Sequence, residues 1–172
     1  MRFLRATRLT HALVAVAVLS GCGIYSFSGS SLPSHIKTIA VPILENESLD
    51  YEVGNEVTTA ITQRFIDDNR LKVVGEGRAD CVLEGKIASY ENKVYNYTAD
   101  QQAQDYIVVI RVSLALRDAV KNRKLWEQDP ITVSAVYSVV SASAELTDET
   151  GARKKAIQDL AEDVLARTME QW

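Results

Sequence analysis

The sequence predicts an α+β fold, a two-layer sandwich with two helices packed on one face of a mostly antiparallel four- to five-stranded sheet. Three observations predict it. The chain has 172 residues, 47% hydrophobic and 24% charged, enough for one domain with a real core and too few for two. Between residues 81 and 140, apolar and polar side chains alternate in long runs, the period of half-buried strands. Before and after those runs, apolar residues recur at helical spacing. A composition of this kind excludes a disordered tail and a polytopic membrane protein.

Residues 1–21 read as a cleaved signal peptide. Arg2, Arg5 and Arg8 make a positive start, and Ala12 to Leu19 is an unbroken apolar run. That run is far shorter than the roughly 20 residues a membrane-spanning helix needs. Leu19-Ser20-Gly21-Cys22 then resembles the lipobox of bacterial lipoproteins. The resemblance implies that Cys22 carries diacylglycerol and becomes the first residue of the mature chain. Gly23 follows where an Asp would signal retention at the inner membrane, so resemblance to lipoprotein sorting rules favours the outer membrane. Several acyl chains on one cysteine anchor firmly, since each buried methylene contributes about 0.8 kcal/mol.

Residues 22–34 form a Gly/Ser-rich tether, and 35–172 the single domain. Ile36 to Val41 reads as a strand closed by Pro42, which cannot donate to a sheet ladder. Val53, Val57, Ile61 and Phe65 define the first helix, with Ser48 or Asp50 as its cap and Asn69 as its end. Leu71–Val74 is a short strand. Cys81 to Tyr97 is a long one whose alternation slips near Ser89, which predicts a bend or bulge. Tyr106–Val120 follows, with Val108, Ile110, Val112, Leu114 and Leu116 on one face and Ile107 and Val109 mixed with Arg111, Ser113 and Arg117 on the other, which is at least partly wet. Lys121-Asn122-Arg123 is a turn signal, and Lys124–Val140 returns, with Pro130 marking an edge or a bulge. From Thr147, Ile157, Leu160, Ala161, Val164, Leu165, Thr168 and Met169 form an amphipathic stripe. With both helices on one face, the other face of the sheet is left for solvent or a partner.

Removal of the signal takes away three arginines and no acid, leaving 16 basic against 23 acidic residues. A mature chain that acidic is a poor nucleic-acid binder. The sequence has no nucleophile elbow, Cys-x-x-Cys, His-Glu-x-x-His or phosphate-cradling glycine loop, so no enzyme, catalytic residue, metal or cofactor is expected. His35 is the one mature histidine, expected to be solvated at the tether junction. Cys81 shares a strand face with Leu83 and Ile87, the position of an inert buried thiol. The acids Glu45, Glu47, Asp50 and Glu52 suit a helix N-terminus.

Two features exceed what a core requires. Tyr90, Tyr95, Tyr97 and Tyr106 surround a polar linker, and tyrosine suits both a protein interface and a plain β-hairpin. Lys121, Arg123 and Lys124 form a basic turn, able to meet lipid phosphates or simply to be solvated.

Around the lipobox, Tyr25-x-Phe27-Ser28-Gly29, Leu32-Pro33, Ile36-Lys-Thr-Ile-Ala-Val-Pro42 and Glu45-Asn46, followed by Glu84-Gly85, resemble the LPS-assembly lipoproteins of the LptE family. The resemblance implies two helices on a four-stranded sheet, in an outer-membrane lipoprotein that faces the periplasm. It implies a β-barrel partner, the LPS translocon LptD, whose assembly it assists, and a share in delivering lipopolysaccharide to the outer leaflet. Ile39-Ala-Val-Pro42 with Glu45-Asn46 also resembles CsgG-like and penicillin-binding-protein-activator lipoproteins, which would imply a secretion-pore subunit or a regulator of wall synthesis.

Overall fold

The structure, a computed structural model, describes residues 32–141 and 143–170. The expected signal peptide, the expected lipidation site Cys22 and most of the expected tether lie outside the described residues. The domain opens with two very short strands, β1 (Thr38–Ala40) and β2 (Glu45–Asn46), followed by helix α1 (Val53–Asp68). Strand β3 (Lys72–Val73) and a 3₁₀ turn at Glu76–Arg78 lead into β4 (Cys81–Tyr97), β5 (Ala103–Asp118) and β6 (Arg123–Ser138), and α2 (Glu149–Glu170) ends the chain.

The sheet is mixed and has six strands, in the order β3-β1-β4-β5-β6, with β2 also beside β4. This corrects the expectation of a mostly antiparallel sheet of four to five strands. The antiparallel part is the β4-β5-β6 meander. Strand β1 runs parallel to both β3 and β4, and β2 runs parallel to β4. Parallel neighbours need a crossover, and α1 provides it between β1 and β3. Strands of two or three residues complete no alternation, which is why their pairing left no trace in the sequence.

Each long element forms for a local reason. Asp50 Oδ1 accepts the amides of Glu52 and Val53 at 3.0 and 3.1 Å, closing the start of α1. Asn69 ends α1 in the left-handed conformation, φ 58°, with its amide on the Phe65 carbonyl; asparagine tolerates that conformation better than most residues. Asp148 Oδ1 accepts the Gly151 amide at 2.7 Å and caps α2. The slip near Ser89 is a register shift between Ile87 and Ser89. Pro130 lies on edge strand β6, where the register against β5 shifts. Gly85 faces Leu114, and a Cβ there would stand 2.1 Å from the Ser113 carbonyl oxygen. β4 and β5 approach more closely at that point than any side chain permits.

Both helices cover one face. Val57, Ile61 and Phe65 of α1 and Leu160 and Val164 of α2 close over Leu83, Ile87, Val108, Ile110, Val112, Leu114 and Leu116, all buried. Burying a side chain of that size contributes about 1.5–3 kcal/mol, so this layer dominates stability. Cys81 is buried on the same face, as its spacing predicts, and burial pushes its thiol up to about 12. Leu32, at the end of the tether segment, also packs against this core.

Candidate functional site

Three surfaces hold residues that the core does not use: the two ends of the sandwich and the uncovered sheet face.

One end carries the β4–β5 hairpin tip and both helix starts. Of the four tyrosines singled out by the sequence, two are committed to packing. Tyr90 donates from its hydroxyl to Glu149 at 2.6 Å, and its ring lies 4.9 Å beneath the Arg153 guanidinium. Burial and that carboxylate push the phenol of Tyr90 well above the usual tyrosine range. Tyr106 stacks on Tyr137, ring centroids 5.5 Å apart, and Asn92 donates to both the Tyr137 hydroxyl and Glu149. Tyr95 and Tyr97 are free of the core, 62% and 59% exposed. The four therefore do not form one surface. Leu49 and Tyr51, in the loop before α1, are 95% and 91% exposed, and Val139 and Val140 are also exposed. Acids crowd this end too: Glu47, Asp50, Glu52, Glu145, Asp148 and Glu149 flank the helix starts, where the dipole favours negative charge.

Arg153 ties the two helices together there. Its two terminal nitrogens meet the Asp50 carboxylate at 2.6 and 2.8 Å, and Nε meets Glu56 at 2.6 Å. Burial disfavours its charge, but hydrogen bonds to Asp50 and Glu56 outweigh that and hold its pKa above the usual value. The bonds from Arg153, with the Glu52 and Val53 amides, outweigh burial and hold Asp50 below the usual carboxylate range. Sequence reasoning missed this cluster. Its one signal was an arginine in the early turns of a helix, where the dipole disfavours a cation.

The opposite end carries the β5–β6 turn. Asn122 makes the turn at φ 48°, and Lys121, Arg123 and Lys124 are exposed around it, as predicted. Arg123 Nε lies 3.5 Å from Asp118 and Lys124 lies 2.5 Å from Glu127, so Lys121 is the least compensated of the three. Asp118 is fully buried. It accepts the amides of Val120 and Lys121 at 3.1 and 2.9 Å and meets His35 Nε2 at 2.9 Å. Burial pushes its pKa up, but the Lys121 amide, His35 and Arg123 together hold it below the usual value. His35 is thus a half-buried partner of Asp118 rather than a solvated residue, which corrects the sequence expectation. The pairing spans 83 residues, and no local pattern could show it.

The uncovered sheet face is mixed: Ile107 and Val136 lie opposite one another on it, and its polar side chains are internally paired. Arg117 bonds Glu84, Arg111 bonds Ser89 and Glu91, Lys86 bonds Glu47 at 2.9 Å, and Ser113 donates to Asp129 at 2.5 Å. A depression of about 380 Å³ centres on Gly85, lined by Glu45, Glu84, Lys86, Ser113 and Asp129 among others. Lys93 and Arg111 hold Glu91 below the usual carboxylate range. The wet character of this face was legible in Arg111, Ser113 and Arg117; the acids that pair with them were not. Among the described residues, no group of histidine, cysteine, aspartate and glutamate could hold a metal ion. No described helix is long and apolar enough to cross a membrane.

Comparison with known proteins gives the fold and the family. Among curated proteins, none matches the sequence well enough to count as a relative. Protein XCC0632 from Xanthomonas campestris superposes with a TM-score of 0.57 at 12% identity, covering 80% of this chain and 86% of that one. PelC from Paraburkholderia phytofirmans, a dodecamer, gives 0.52 at 16% identity, covering 84% and 96%. The uncharacterized lipoprotein B from Nitrosomonas europaea gives 0.50 at 19% identity, covering 81% and 88%. At such identities these structures share the fold alone. The model of the LptE family, described as lipopolysaccharide-assembly, matches residues 36–168, nearly the whole described domain, and this chain belongs to that family.

Proposed function

We propose that this protein is an outer-membrane lipoprotein, anchored through Cys22 and facing the periplasm, that partners the LPS-translocon barrel LptD. In this reading it assists the barrel's assembly and helps deliver lipopolysaccharide to the outer leaflet. Family membership supports the lipopolysaccharide-assembly role. One structural observation carries the partnership with a barrel. The helix-free sheet face is broad, and its charged side chains are paired with one another. A surface like that suits the polar lumen of an outer-membrane barrel, where an apolar face or unpaired charges would be penalised. Tyr95 and Tyr97 are the proposed aromatic contacts with the barrel wall. Lys121, Arg123 and Lys124 are the proposed contact for lipid A phosphates, which arginine can grip bidentately. The reading includes no catalytic step and no cofactor.

The test is affinity purification of the tagged protein from outer membranes. Co-purification with a β-barrel, and loss of membrane attachment in Cys22→Ser, is the expected result. Recovery with a peptidoglycan synthase and no barrel would favour a regulator of wall synthesis instead.

A further inference from the structure

The end that carries the β5–β6 turn is basic on a mature chain that is acidic as a whole, and the way it becomes basic is structural. Lys37, Lys72, Arg78 and Lys121 are all exposed there. Backbone register holds them together. Thr38, next to Lys37, pairs with Lys72, and the Thr38 hydroxyl reaches the Arg78 carbonyl. The Ala119 amide, two residues before Lys121, donates to the Asp80 carbonyl. Glu76, beside Arg78, is an exposed acid in the same region, whereas Asp80 and Asp118 are bonded back into the fold. Asp80 accepts the Lys37 amide and both the amide and hydroxyl of Thr38, each at 2.9 Å. Asp118 is fully buried on His35 and the turn amides. Both carboxylates keep their charge, but neither forms an ion pair with Lys37, Lys72, Arg78 or Lys121. Among the described residues, no ion pair engages Lys37, Lys72, Arg78 or Lys121.

The chain arrives from its tether at this same end, since His35 sits on Asp118. From Cys22 to Leu32 is ten residue steps, at most about 35 Å when fully extended. A lipid on Cys22 therefore keeps this end, where the tether joins the domain, within about 35 Å of the leaflet that takes the acyl chains.

We propose that Lys37, Lys72, Arg78 and Lys121 dock the domain on the anionic phospholipid headgroups of the anchoring leaflet, setting the sandwich upright on the membrane. Each cation close to such a surface adds attraction that falls off within a Debye length. The inference rests on the proposed lipidation of Cys22. It concerns the lipidated protein before it meets a barrel; within the barrel, Lys121 belongs to the turn assigned above to lipid A.

The experiment reconstitutes the lipidated protein in vesicles of phosphatidylcholine, or of phosphatidylcholine with phosphatidylglycerol, and times acetylation of individual lysines by a water-soluble reagent. On phosphatidylglycerol, Lys37, Lys72 and Lys121 should react roughly fivefold more slowly, with Lys93 and Lys154, away from this end, unchanged. High salt should abolish the difference. A variant combining Lys37→Gln, Lys72→Gln and Arg78→Gln should return Lys121 to its rate on neutral vesicles. Equal rates on both vesicles overturn the docking while the anchor stands. Failure of the protein to stay on either vesicle overturns the anchor and the docking with it. Protection by lipopolysaccharide in neutral vesicles, without protection by phosphatidylglycerol, also overturns the docking and assigns the surface to lipopolysaccharide.

Discussion

Asp118 shows how much of this domain depends on single buried polar groups. Its pKa lies below the usual value because the Lys121 amide, His35 and Arg123 together outweigh burial. A carboxylate with a depressed pKa adds stability above its ordinary value of 3.8 and loses it as pH falls through the lower folded value. Asp118→Asn should therefore cost about 2 kcal/mol near neutral pH and flatten part of the acid decline below its ordinary value of 3.8. Thermal unfolding across that range measures both, and an unchanged acid slope would refute the assignment. Only part of the slope should go, because Asp50, Asp68 and Asp80 are also depressed. Single residues were legible in the sequence where local spacing decides their place, as for Cys81. They were illegible where a distant partner decides it, as for His35 and for Tyr90.

The elements were legible in proportion to their length. Both helices, the three long strands, the irregularity at Ser89 and the break at Pro130 follow from periodicity and turn chemistry. The short strands at Ile36–Val41 and Leu71–Val74 were legible too, as β1 and β3. Strand β2, two residues long, falls below the length at which a period exists, and the parallel pairing of these short strands left no signal. The contact between the helices was illegible for another reason. Apolar stripes say that α1 and α2 bury a face, but Arg153 fixes how they meet, with their starts side by side over Tyr90. Arg153→Ala leaves Asp50 and Glu56 partly buried without a cation, so a loss of about 2–3 kcal/mol is expected. Arg153→Lys should recover less than half, since one ammonium cannot reproduce the bidentate bond to Asp50. Chemical denaturation of the three proteins decides this, and equal stability of all three would show that the helices meet by apolar packing alone.

At the scale of the molecule, the sandwich and its uncovered wet face were readable, whereas the opposition of its two ends was not, because it emerges only when the chain folds. That opposition separates the four tyrosines. Tyr95→Ser with Tyr97→Ser should leave unfolding within about 0.5 kcal/mol of the parent, as for exposed positions generally, while reducing recovery of the barrel. Tyr106→Ser, which removes the stack on Tyr137, should lower stability by roughly 2 kcal/mol or more. Unfolding curves and barrel recovery from the same preparations compare them, and full recovery with the double change would remove Tyr95 and Tyr97 from the interface. The 17 residues of β4 carry one more consequence. At about 3.3 Å per residue the strand is about 55 Å long, whereas the apolar band of an outer-membrane barrel is about 25 Å tall. A strut of that length, footed at the inner leaflet and aligned with a barrel axis, would pass the whole hydrocarbon layer and still reach the far rim. Shortening the β4–β5 hairpin by matched pairs of residues would then withdraw its tip from that rim step by step without touching the helix-covered core.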